Sequence, residues 1–158
     1  VDNAAVLEGL DAKRLRYYVC DFPAPALLGK SNVVALPHLG ASTREAEDNC
    51  AVMVVDQVRD FLENGNIVNA VNFPDVAMAR ESPYRIAIAN ANVPNMVGQI
   101  STAMAQAGLN IHNMLNKSRG DMAYTLVDVD SAVPADLSDH LSRIEGVLSV
   151  RCLPVQTV

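Results

Sequence analysis

The stretch YRIAIANANVPNMVGQISTAMAQAGLNIHNMLNKSRGDMAYTLVDVDSAVPADLSDHLSRIEGVLSVRCL, residues 84–153, switches between two hydrophobic periods in a fixed order. Tyr84, Ile86 and Ile88 recur every second residue, as on the buried face of a strand. Val97, Ile100, Met104 and Ala107 recur at helical spacing, and Gly108 closes that helix. Leu109, Ile111 and Asn113 alternate again. Ser118-Arg119-Gly120-Asp121 is a turn between two strands. In the next strand Met122, Tyr124 and Leu126 face one way, Val127 and Val129 the other. Pro134 opens a helix carrying Leu137, Leu141 and Ile144, which Gly146 stops, and Val147 to Leu153 form a last strand. The order β-α-β-β-α-β predicts a ferredoxin-like fold. Such a fold has one helix-covered sheet face and one open face, so a dimer is expected.

Working outward, the residues before this module read as α/β. Asp2 or Asn3 caps a short helix with Val6, Leu7 and Leu10 on one face. Leu15–Cys20 and Asn32–Leu36 are nearly continuous apolar runs, which suit strands buried on both faces of a parallel sheet. Two strands and a helix do not complete such a sheet, and the missing strands must come from elsewhere. Ser42 and Glu45 fit a capping box. Behind them Cys50, Val54, Val58 and Phe61 predict a long amphipathic helix, stopped at Glu63-Asn64-Gly65. The mixed stretch from Asn72-Phe73-Pro74 to Pro83 reads as a linker.

Composition removes several classes of function. The chain of 158 residues is 50% hydrophobic and 19% charged, an ordinary globular balance that argues against disorder. No apolar run is long enough to span a bilayer, so no membrane role is expected. A net charge of −6 and an aromatic fraction of 4% without Trp disfavour a nucleic-acid partner. The N-terminus carries no signal-peptide pattern and no initiator Met, which suggests a start within a longer protein. Cys20, Cys50 and Cys152 are odd in number and widely spaced. They predict buried thiols in a reducing, cytoplasmic compartment, with neither disulfides nor a zinc site.

Two groups of residues carry candidate chemistry. His38 follows Pro37 at the carboxyl end of a predicted strand, where α/β sheets bind ligands. An imidazole there can exchange a proton near working pH, and a plain surface-loop histidine is the alternative. Asn90, Asn92 and Asn110 lie at strand ends. Their amides suit the ammonium and carboxylate of a free amino acid, with the helix-start N–H groups near Met96 and Val97 taking the carboxylate. Their alternative is a set of turn amides. His112 and His140 have no metal-ligand spacing, so no metal is expected. Met96, Met104, Met114 and Met122 fill core or interface gaps. Ser42 and Thr43 are helix-capping residues with no base placed to make them nucleophiles.

Leu36-Pro37-His38-Leu39-Gly40-Ala41-Ser42-Thr43 and the acidic helix after it resemble the active-site histidine motif of D-3-phosphoglycerate dehydrogenases. Asp21-Phe22-Pro23 and Asn69-Ala70-Val71-Asn72-Phe73-Pro74 fit the same family. Ile88-Ala89-Asn90-Ala91-Asn92-Val93-Pro94, Gly108-Leu109-Asn110-Ile111 and Asn116-Lys117-Ser118-Arg119-Gly120 resemble its ACT domain.

The resemblance implies a partial Rossmann-like segment followed by a ferredoxin-like βαββαβ ACT domain. Residues 1–41 would be the tail of a nucleotide-binding domain and 42–65 a long helix returning to a substrate domain. Residues 66–83 would be a linker and 84–158 the ACT regulatory domain. No Gly-x-Gly-x-x-Gly run occurs, so the chain reads as a carboxy-terminal fragment. The implied activity is NAD-dependent oxidation of 3-phosphoglycerate to 3-phosphohydroxypyruvate in L-serine biosynthesis, with His38 as acid/base. Asp21 would lie by the nicotinamide carboxamide. The family pairs its histidine with a Glu in the preceding segment, where this chain has Ala24. Asn92 and Asn110, with Asn90 where some relatives have His, would bind L-serine between two ACT domains of a homo-oligomer. Asn95 stands where Gly is usual, and Asn tolerates the left-handed backbone such a turn needs. Two alternatives stay open: a non-catalytic amino-acid-binding and dimerisation module, or another ACT-bearing D-2-hydroxyacid dehydrogenase.

Overall fold

The computed structural model describes residues 1–155, so the last three residues of the predicted 84–158 module lie outside the described residues. The chain divides into two compact units, Val1–Val52 and Met53–Val158.

In the first unit, Asp2 caps α1 (Asn3–Asp11) by accepting the Ala5 N–H at 2.9 Å. Val6 and Leu10 of α1 pack with Leu27 from a 3₁₀ turn, Pro25–Leu27. β1 (Tyr18–Cys20) and β2 (Val33–Ala35) pair in parallel, Tyr18 opposite Val33 and Cys20 opposite Ala35. Both strands are shorter than their apolar runs, and they are covered on one face. Val19 is 58% exposed and Val34 43%. The expectation of strands buried on both faces is therefore corrected: one helix and one 3₁₀ turn cover a single side.

The long helix α2 spans Arg44–Asn64. Its cap is Thr43, whose Oγ1 accepts the Ala46 N–H at 3.2 Å. This corrects the Ser42–Glu45 capping box. With Thr43 at the cap, Ala46 occupies the third helical position and no side chain reaches back. Glu45 and Glu47 still favour the positive end of the helix dipole. No residue of α2 is buried, and Val54 and Val58 of its apolar stripe are exposed. Gly65 ends the helix at φ +73°. A Cβ there would lie 2.8 Å from Leu153 Cδ1 and 3.0 Å from Leu126 Cδ2, so glycine is required both by φ and by space.

The last four carbonyls of α2 all meet guanidinium groups. Arg151 donates to the oxygens of Phe61 and Leu62 at 3.4 Å, Arg80 to Glu63 at 2.8 Å, and Arg85 to Asn64 at 3.1 Å. Phe61 O also accepts the Gly65 N–H at 3.1 Å; the other three are groups a helix leaves without internal partners, at the negative end of its dipole.

The second unit is the predicted ferredoxin-like module. Its elements are β3 (Tyr84–Ala91), α3 (Met96–Gln106), β4 (Ile111–Arg119), β5 (Met122–Val129), α4 (Leu137–Ser142) and β6 (Val147–Cys152). The antiparallel sheet runs β4-β5-β3-β6, the order the split-βαβ connection dictates. Ile86, Ile88, Val127 and Val129 point to one face, under Met96, Ile100, Ala103 and Met104 of α3 and Leu137 and Leu141 of α4. Ile100, Met104 and Ala107 of the predicted stripe face the core, but Val97 is 42% exposed and Met96 takes its place at the start of α3, after a left-handed Asn95 at φ +64°. Pro134 accepts the Leu137 N–H at 3.2 Å in a turn preceding α4, instead of opening it.

The opposite sheet face is partly covered, which corrects the expectation that it is open. Ile67 and Val76, in the stretch read as linker, exchange two backbone hydrogen bonds of 2.8 Å. Val76 and Met78 pack there on Ala87, Tyr124, Leu126 and Leu153. Small side chains at Ala87 and Ala89 leave an apolar hollow of about 430 Å³, lined also by Val58, Phe61, Ile67 and Phe73. On the same face Arg85 and Asp128 are cross-strand partners with no exposed side-chain surface. Arg85 Nε donates to Asp128 Oδ1 at 2.5 Å and Nη2 to Oδ2 at 2.8 Å. Its remaining N–H groups serve the carbonyls of Asn64, Met78 and Ala79. A buried charge is tolerable only when satisfied this fully.

The cysteines are free thiols, but they are not buried as expected. Cys20 is half-buried, while Cys50 on the bare helix α2 and Cys152 at the end of edge strand β6 are exposed. Partial burial still pushes the Cys152 thiol up from its ordinary range.

Candidate functional site

The first candidate site is built by the parallel register of β1 and β2. Cys20 stands opposite Ala35, and the Leu36 N–H donates to Cys20 O at 2.9 Å, so the two strands release the chain side by side. Asp21 is one residue beyond β1 and His38 three beyond β2. Their side chains meet, with His38 Nδ1 2.9 Å from Asp21 Oδ2, and each is more than half exposed. The Phe22 ring meets the imidazole edge-on, with centroids 5.9 Å apart and planes at 77°. With Nδ1 against a carboxylate, Nε2 is the nitrogen left to exchange a proton with another molecule. Ala24, at the position expected for a glutamate, is partly buried against the Leu27 core, and its carbonyl accepts the Leu27 N–H.

The second candidate site lies where β3 gives way to α3. Asn90, Asn92, Asn95 and Asn116 line a hollow of about 140 Å³ with Met96 and Gly98. Asn90 is 1% exposed and internally bonded: its amide donates to Ala91 O at 2.8 Å, and its oxygen accepts from Thr125 Oγ1 at 3.3 Å. Asn116 donates to the same Thr125 hydroxyl at 2.7 Å. Asn92 donates to Gly120 O at 3.0 Å in the β4–β5 turn. The first helical bond of α3 is Gln99 N–H to Asn95 O, so the N–H groups of Met96, Val97 and Gly98 lie ahead of the helical ladder.

Asn110 is not part of this hollow. It precedes β4 at the other end of the sheet, where its backbone pairs with Asp130. The 8 residues of β5 separate that end from the turn beside Asn92, a span of roughly 25 Å. One chain therefore holds Asn90 and Asn92 together and Asn110 apart.

Sequence reasoning missed Asn116 as a member of the amide cluster, and it missed Arg85 with Asp128. Asn116 acquires its place only when β4 is paired with β5, which sets it opposite Thr125. Arg85 and Asp128 are single charges inside apolar alternations. That is a usable signal, but their pairing depends on the β3–β5 register. Among the described residues no three His, Cys, Asp or Glu side chains group to hold a metal ion, and no helix is long and apolar enough to cross a membrane.

Fold and site define a two-part class: a parallel strand pair ending in a histidine with a carboxylate on its ring, then a ferredoxin-like module with an amide-lined hollow. Comparison with known proteins gives the class its particular likeness, to D-3-phosphoglycerate dehydrogenases, as the motifs around His38 and Asn92 imply. The Escherichia coli (strain K12) enzyme of that name is 28% identical over 97% of this chain and 40% of its own length. D-3-phosphoglycerate dehydrogenase 1 of Saccharomyces cerevisiae is 28% identical over 80% of this chain and 28% of its own. The Haemophilus influenzae enzyme is 29% identical over 77% and 30%. The chain thus spans well under half the length of these relatives. No family model matches the chain. Among solved structures, the ACT domain of a Chlorobium tepidum GTP pyrophosphokinase is 19% identical at a TM-score of 0.40, covering 44% of this chain and 95% of its own. The fold described above rests on strand order and register.

Proposed function

We propose that this chain carries the acid/base histidine and the amino-acid-sensing module of an NAD-dependent D-3-phosphoglycerate dehydrogenase. The enzyme would oxidise 3-phosphoglycerate to 3-phosphohydroxypyruvate on the route to L-serine, in the cytoplasm. The observation that carries the reading is His38 in its Leu36–Thr43 motif, at the carboxyl end of a parallel strand pair, with Asp21 on Nδ1. Oxidising a 2-hydroxy acid needs a base for the hydroxyl proton, and Nε2 of His38 is that base. The ends of β1 and β2 fit a nicotinamide cofactor, because open α/β sheets take ligands there, and Asp21 is the residue that would lie against its carboxamide. When bound, NAD supplies the hydride acceptor. The ferredoxin-like module would be an ACT domain, taking L-serine through Asn90, Asn92 and Asn110. Since one chain keeps Asn110 away from the other two, the complete site requires a second copy, and the protein works as a homo-oligomer through these modules.

In the protein that contains this chain, His38→Gln is expected to lower kcat for 3-phosphoglycerate by about 10²–10⁴-fold. Wild-type turnover in that variant overturns the assignment of the base. The 158-residue chain alone is expected to show no NAD-dependent turnover. Calorimetric titration of the chain with L-serine, against glycine and L-alanine, should give saturable binding that Asn110→Ala abolishes. The absence of serine binding would leave the module without its sensing role.

The alternative is a non-catalytic amino-acid-binding and dimerisation module. The observation that favours it is Ala24 at the position of the expected glutamate. Serine binding without dehydrogenase activity in the full-length protein would select it.

A further inference from the structure

We propose that Asp21 is the positioning residue for His38, taking the part that a glutamate plays in the family the chain resembles. The proposal rests on His38 being the acid/base, as argued above. Asp21 is the only carboxylate side chain between Asp11 and Glu45, so no other acid of that stretch can serve. Its Oδ2 lies 2.9 Å from His38 Nδ1. Backbone geometry sets that distance: the in-register pair Cys20–Ala35 and the Leu36 N–H to Cys20 O bond fix both strand ends. The Phe22 ring meets the imidazole edge-on. Lys30, the lysine nearest to His38 in sequence, is engaged elsewhere, with Asp11 at 3.2 Å.

The consequence is a fixed tautomer. A carboxylate accepting from Nδ1–H leaves the Nε2 lone pair free to take the substrate hydroxyl proton. The loss of the glutamate is thereby compensated from the preceding strand end. Ala24 is released to pack beside Leu27.

Two measurements test this, and they fail differently. In the 158-residue chain, ¹⁵N NMR of the neutral His38 ring should report the Nδ1–H tautomer. Asp21→Ala should move it towards Nε2–H, and Asp21→Glu should restore it. An unchanged tautomer in Asp21→Ala overturns the proposal, whatever the enzyme does. In the protein that contains this chain, Asp21→Ala should lower kcat at least about tenfold, and Asp21→Glu should recover much of it. A raised KM for NAD with kcat intact would make Asp21 a cofactor contact only, and the proposal falls. If His38→Gln itself leaves kcat unchanged, the acid/base reading fails, a result the tautomer measurement keeps separate from the fate of the Asp21 pair.

Discussion

The two units of the chain solve the same problem, burying apolar strands, to different degrees. In Val1–Val52 two three-residue strands pair in parallel over a core of Val6, Leu10 and Leu27, and Val19 and Val34 stay exposed. In Met53–Val158 four antiparallel strands carry helices on one face and the Ile67–Met78 segment on part of the other, and each face has its own cluster of buried side chains. The difference lies in connectivity. Antiparallel strands close on themselves with a two-residue turn such as Gly120-Asp121, whereas parallel strands need crossovers and cover on both faces. The chemistry divides in the opposite sense. The exposed unit presents His38 and Asp21 at strand ends. The closed unit commits one ion pair, Arg85 and Asp128, to its interior.

That contrast can be broken by mutation, and the largest effect should come from the closed unit. Asp128→Ala strands the Arg85 guanidinium without its carboxylate, and the unit should lose about 3–5 kcal/mol in denaturant unfolding. A loss below 1 kcal/mol would show that the interior tolerates the lone charge. Gly65→Ala forces a Cβ into Leu153 and Leu126 at a left-handed φ, and about 2–3 kcal/mol should go in the same transition.

A pH effect comes next. Tyr124 is buried and donates to Gly65 O, and burial pushes its hydroxyl up to about 12. The folded state therefore holds this proton more tightly than the unfolded chain, whose tyrosines titrate near 10. The stabilisation is complete below about pH 10 and is lost as pH rises towards 12. In a 295 nm titration one of the four tyrosines should ionise late, and Tyr124→Phe should remove that step. Four tyrosines titrating together would contradict the burial. The smallest effect belongs to the open unit: Asp2→Ala removes the α1 cap at a cost of about 1 kcal/mol. It should shift the unfolding of Val1–Val52 while leaving the sheet unit's transition in place. A shift of both transitions would mean the two units unfold as one.

How much of this the sequence discloses depends on whether the signal is local. The βαββαβ order is legible because each element writes its own period, down to the two faces of β5. The α1 cap is legible because Asp2 acts three residues away. The Ser42 box fails by one position: Ser42 and Thr43 are both capping residue types, and local sequence does not show that α2 starts at Arg44 with Thr43 Oγ1 on the Ala46 N–H. His38 and Asp21 are legible as residue types. Their contact is not, because it follows from a parallel register between strands 12 residues apart. The amides show the same limit: Asn92 and Asn110 look like one site in sequence, yet the sheet puts them at opposite ends. Ile67 and Val76 carry too short a pattern to reveal that they pack on the sheet.

The arginines at the end of α2 give that helix a direction of failure. A helix ordinarily frays from both termini, since neither end has its ladder complete. Here Arg80, Arg85 and Arg151 hold the last four carbonyls, while the start has the Thr43 cap and the two glutamates of its first turn. Local opening then begins at Arg44 and runs towards Gly65. The final turn opens only when the sheet beneath it does, so the two ends of one helix belong to different cooperative events and exchange their amide protons on different clocks.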